Sequence, residues 1–148
     1  MLKRIIQKDL KAAKVLKIHK VDYERILMWA QSNREILFLC LGNKNMVKKV
    51  VRLCNISRKP QNTAMWSENQ RKSLIKTYKK SSYSIVAEGH SHPCKHHDRH
   101  PSRLDVECGE VGAVELIAFP CERVIRAWVI GSSVSHTKNQ EMKIQLLD

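Results

Sequence analysis

Two histidines spaced two apart, His90 and His92, are the residues of this 148-residue chain whose type and spacing most directly suggest chemistry. Side chains alternate between faces along an extended strand, so both imidazoles project to one side and Ser91 to the other. Pro93 has no amide to donate and ends the strand. A turn beyond it can bring back a third ligand, and Asp105, following Ser102, is the natural candidate. Two neutral imidazoles and one carboxylate leave a tetrahedral Zn²⁺ an open position for water, the pattern of a catalytic zinc site and not of a structural one. The plainer alternative is a solvated His-x-His pair and a Ser102-x-x-Asp105 helix cap. What favours the metal is the combination of His-Ser-His-Pro with Pro101-Ser102-x-x-Asp105 on one loop.

The elements that must position these residues follow from periodicity and breakers. Leu2, Ile5, Ile6 and Leu10 fall at helical spacing, so residues 1–14 read as a helical N-terminal extension to a domain spanning 15–148. A strand is expected near Val15 to Ile18, then a helix capped by Asp22 and carrying Tyr23, Ile26, Leu27 and Ala30 on one face. Ile36 to Leu41 is a buried strand closed by Gly42 and Asn43, and Met46 to Cys54 pairs back across that turn. Asn55 to Met65 is a loop, and Ser67 opens a lysine-rich helix reaching about Lys80, with Leu74, Ile75 and Tyr78 toward the core. Tyr83 to His92 is the ligand strand, Ser102 starts a helix that includes Asp105, and Val114 to Phe119, Val124 to Ile130 and Met142 to Leu147 are further strands. This order suggests an α+β or three-layer α/β domain.

His90 to Pro93 with Pro101 to Asp105 resembles the metal-binding signature of the JAMM metalloproteases, whose fold is the MPN domain. That family also places a glutamate at the start of an apolar strand ending in Leu-Gly, the form of Glu35 to Gly42 here. Further similarities are the helix before Glu35, the Asn-x-Ser-x-x-Pro loop at Asn55 to Pro60, and Ile125 to Trp128. The resemblance implies a mixed central sheet flanked by helices, similar to cytidine deaminases. It also implies a Zn²⁺ held by His90, His92 and Asp105, Glu35 as general base and then acid, and Ser102 as donor to the developing oxyanion while also capping its helix. One departure is a loop between His92 and Asp105 two residues longer than the family's, within which His96, His97, Asp98 and His100 offer competing ligands. The implied substrate is a peptide or isopeptide bond after the Gly-Gly tail of a ubiquitin-like or sulfur-carrier protein, as in small prokaryotic members, with the tail bound as an added strand beside the zinc.

Composition narrows the alternatives. With 27 basic against 14 acidic side chains the net charge is +13, which favours anionic partners, so an acidic carrier is expected. The basic residues are scattered and no aromatic stacking signature accompanies them, so nucleic acid is expected to bind only nonspecifically; a basic nucleic-acid module and a non-catalytic MPN scaffold are the competing classes. The longest apolar run, Ile36 to Leu41, is far below the roughly 20 residues of a membrane span. Lysines interrupt the first twenty residues, so no signal sequence is expected and the setting is taken as cytoplasmic. Five cysteines with no Cys-x-x-Cys pair argue against a disulfide framework. Cys94 and Cys121 are nevertheless placed to approach each other and pin the active-site loop, although reduced thiols are the cytosolic prior.

Overall fold

Strands β1 (Leu16–His19), β2 (Leu37–Asn43), β3 (Met46–Leu53), β4 (Ser84–Ser91), β5 (Val114–Phe119), β6 (Val124–Val129), β7 (Gln140–Met142) and β8 (Ile144–Leu147) accompany two helices, α1 (Lys20–Trp29) and α2 (Glu68–Tyr78). They are seen in a computed structural model that describes residues 3–6, 15–60, 64–94, 100–102, 105, 110–131 and 140–148. The strands form one mixed sheet in the order β7-β6-β5-β4-β2-β3-β1-β8. β2 runs antiparallel to both β3 and β4, whereas β4 and β5 are parallel. The chain between those two parallel strands therefore crosses over, and it carries Pro93, Ser102 and Asp105.

Each face of the sheet is covered by one helix. On one side Ile26 of α1 and its C-cap Ala30 sit fully buried among Leu16, Phe38, Val86 and Leu116. Removing a side chain such as Ile26 from water contributes roughly 1.5–3 kcal/mol. On the other side Leu39, Leu41, Leu53 and Ile85 pack with Leu74 and Tyr78 of α2. Ser67 caps α2 by accepting from the Gln70 amide at 3.1 Å, as its sequence predicts. Leu37 and Leu39, which pack on the α2 side, lie in register with His90 and Glu88, so β4 presents its histidines on that face.

Three expectations are corrected. Residues 3–6 are not helical: Lys3 and Ile5 exchange backbone hydrogen bonds with Ile85, filling the edge of β4 below the point where β5 begins to pair. The rest of the expected helix, 7–14, lies outside the described residues. Helix α1 begins at Lys20, with Asp22 inside its first turn and paired to Arg25, so Asp22 favours the helix N-terminus without capping it. The last strand is two, divided at Lys143, with β7 pairing β6 and β8 pairing β1. Among the described residues the architecture is a mixed sheet with two helices and is mostly sheet. No helix among those residues is long and apolar enough to cross a membrane.

Candidate metal centre

His90 in β4 and His92, one residue past its end, are each about 5% exposed, and Asp105 reaches them from helical backbone after Ser102. His90 Nε2 lies 3.1 Å from His92 Nε2 and 3.2 Å from Asp105 Oδ2, and His92 Nε2 lies 3.4 Å from the same oxygen. Ligands held at about 2.0–2.1 Å by a tetrahedral ion stand roughly 3.3–3.4 Å apart, so the donor set has the spacing and chemistry of a Zn²⁺ site. The edge of the His92 ring meets Phe119, with centroids 5.6 Å apart, which fixes its plane from the apolar side.

Behind His90 stands a group that the sequence reading missed. Glu115 of β5 takes a 2.7 Å hydrogen bond from His90 Nδ1, which leaves Nε2 as the lone-pair atom facing the site. The signal was an acid inside the otherwise apolar strand Val114–Phe119, but its partner is 25 residues away in sequence. Burial pushes the Glu115 carboxyl up to about 7. Burial alone would depress the His90 imidazolium, yet Asp105 and Glu115 outweigh it and hold its pKa well above the ordinary value. Asp105 is also penalised by burial, but His90, His92 and the Ser102 amide win and keep its carboxyl far below the usual carboxylate range.

Ser102 and Asp105 cap each other: the Ser102 amide donates to Asp105 Oδ2 at 2.7 Å and the Asp105 amide to Ser102 Oγ at 3.1 Å. The capping reading and the ligand reading of Asp105 are thus compatible, because the cap aims the carboxylate. Of the competing ligands, His96, His97 and Asp98 lie outside the described residues, and the exposed His100 is not in the cluster.

Glu35 is buried at the head of β2 and is not one of the three clustered ligands. Its backbone is held on both sides, with its amide donating to Pro60 O at 2.6 Å and its carbonyl accepting from Asn55 Nδ2 at 2.8 Å. Asn55 Oδ1 in turn accepts from the Ser57 and Met65 amides, so the Asn-x-Ser-x-x-Pro loop is a clamp on Glu35. Ser91, between the two histidines, has a part that periodicity did not suggest: its buried Oγ accepts from the Ile36 amide at 2.9 Å, tying the start of β2 to the ligand strand. Cys94 and Cys121 form a disulfide with Cα atoms 5.5 Å apart, which joins the segment leaving His92 to the β5–β6 turn. The pairing overrides the expectation of reduced thiols at these two positions, while Cys40 and Cys54 are free.

No protein-family model matches the sequence, and no curated protein does. Among solved structures the chain is similar to a protein from Desulfitobacterium hafniense, with a TM-score of 0.71 and 22% identity over 89% of this chain and 92% of that one. It is also similar to a JAB1/MPN domain protein from Archaeoglobus fulgidus, with a TM-score of 0.58 and 17% identity over 90% and 98% of the two chains. A third similar structure is described as JAMM, a metalloprotease-like zinc site in the proteasome and signalosome; its TM-score is 0.55, with 16% identity over 91% of this chain and 100% of that one. The chain therefore has the fold of JAB1/MPN domains, with two histidines and an aspartate gathered where one metal ion fits.

Proposed function

We propose that this protein is a zinc-dependent peptidase or isopeptidase that cuts after the Gly-Gly tail of a ubiquitin-like or sulfur-carrier protein. The observation that carries this reading is the convergence of His90 Nε2, His92 Nε2 and Asp105 Oδ2 within 4.8 Å of one another on a JAB1/MPN fold. A Zn²⁺ ion held there supplies Lewis acidity to the scissile carbonyl and makes water reactive near neutrality. Glu35 is the base, taking the proton of the attacking water on its carboxylate and returning it to the leaving amine. Ser102 Oγ accepts the Asp105 amide with one lone pair and keeps its own O–H to donate, so it can serve the oxyanion without giving up the cap. Glycines suit a substrate tail that must pass close to backbone and ligands, and the net +13 charge draws an acidic carrier. A non-catalytic scaffold is disfavoured because all three ligands, Glu35 and Ser102 are retained together.

Metal analysis and turnover test the reading together. One zinc per chain is expected, lost in His90→Ala, His92→Ala and Asp105→Ala. Glu35→Gln should keep the zinc and the fold while cleavage of a ubiquitin-like Gly-Gly fusion drops by about 10²–10⁴-fold. Near-wild-type turnover by Glu35→Gln, or a metal-loaded protein that never cuts after Gly-Gly, refutes it.

A further inference from the structure

Beside Glu35 runs an open cleft of about 470 Å³ whose walls include Arg34, Arg52, Cys54, Asn55 and Gln70. Ile36 in the same cleft is tied through its amide and carbonyl to Ser91 of the ligand strand, and Glu35 is the residue that links the cleft to the proposed reaction. Apart from Glu35 itself, no residue lining this cleft is acidic. Arg34 and Arg52 are both exposed, and among the described residues neither forms an ion pair. Among the described residues outside the cleft Arg4, Arg25, Arg71 and Arg126 are matched by acids, while Arg58 and Arg123 are, like Arg34 and Arg52, without an ion pair but line no part of this cleft. Two unmatched guanidiniums sharing one cleft repel each other, and each offers a planar fork that fits a carboxylate with two parallel hydrogen bonds.

We infer that this cleft is a subsite for acidic side chains flanking the bond to be cut, with Arg34 and Arg52 as its specificity-determining residues. The inference rests on the peptidase reading for its cleavage step, but the binding it requires does not depend on turnover. Recognition is local and distinct from the attraction of the whole +13 charge, because it belongs to two residues that touch the substrate segment. Cleft and chemistry agree in size: about 470 Å³ falls within the range of pockets that hold small ligands or a few residues of peptide.

The test uses the full chain and two short fluorescein-labelled peptides, identical except that glutamates flank a central Gly-Gly in one and glutamines in the other. Fluorescence anisotropy should show the acidic peptide bound about tenfold tighter than its amide counterpart, a preference of the size expected for charge-assisted bonds. That preference should fall to about twofold or less in Arg34→Gln/Arg52→Gln and persist in Lys20→Gln/Lys143→Gln, which removes the same charge from exposed positions outside the cleft. Equal binding of the two peptides, or a preference equally lost in the lysine control, overturns the subsite. Zinc-dependent cleavage is read in parallel: a binding preference that survives while neither peptide is cut supports the subsite and counts against the peptidase reading alone.

Discussion

Replacing Glu115 by glutamine keeps the size and acceptor of the side chain but removes its charge, and His90 feels the change first. The His90 Nδ1 to Glu115 Oε1 bond is 2.7 Å, and the Glu115 side chain is only 17% exposed, so solvent screens it little. A hydrogen bond to a charged group contributes about 1.5–3 kcal/mol and a neutral one about 1 kcal/mol. The difference, about 0.5–2 kcal/mol, converts to roughly 2- to 30-fold in zinc affinity at 1.36 kcal/mol per decade. Glu115→Leu removes the bond altogether and should approach the upper end of the roughly 10–100-fold losses typical when a ligand's supporting partner is deleted. Competition titration against a chromogenic chelator at a fixed pH above 7, where the Glu115 carboxyl is ionised, measures both variants, with far-UV circular dichroism confirming the fold. Zinc affinity within about twofold of wild type in both would refute the positioning role of Glu115.

Zinc uptake should release protons at neutral pH, because His90 in the metal-free protein is held protonated above its ordinary pKa. Calorimetry in buffers of different ionisation enthalpy detects this, and affinity should rise with pH. The sign reverses for the metal-free fold: a raised histidine pKa stabilises below the unfolded value near 6.5 and is lost as pH rises through the folded one, so urea midpoints of the apo protein should fall over that window. Gly89→Ala, next to His90, should destabilise by about 1–3 kcal/mol in thermal melts, since its new methyl meets the ring of Phe38 on the neighbouring strand β2. Reducing Cys94–Cys121, which closes a loop with a sequence separation of 27, should cost about 3–4 kcal/mol of stability and weaken zinc binding through Asp105, read by melts and chelator titration with and without dithiothreitol.

The ligand strand was legible because His90 and His92 follow strict alternation and Pro93 ends it, and the Ser67 cap and the β2–β3 hairpin were legible because their signals are local. Residues 3–6 misled because Ile5 and Ile6 satisfy a helical spacing and an extended one equally; the choice fell to the open edge of β4 at Ile85, which no local pattern contains. Lys143 looks like one more residue of a strand, yet the pairing partners on its two sides, β6 and β1, are at opposite ends of the sheet order. Glu115 was visible as an oddity and invisible as a partner, since its histidine comes from a parallel neighbour through a crossover. Asp105 was legible through its cap, which proved to be the device that aims it.

The division at Lys143 gives the stretch 140–148 the properties of a clasp. Its first half completes the sheet beyond β6 and its second half beyond β1, while Lys143 itself accepts the Leu16 amide at 2.8 Å. A single local opening of this stretch thus uncovers strands that are remote in the sheet, loosening Arg126 from Glu141 at one margin and the entry to α1 at the other. Protection of amides in β1 and β6 is consequently tied to one event, so that two margins of the molecule breathe together as one cooperative unit while the central strands β4 and β2, which carry the histidines and the head of Glu35, stay closed.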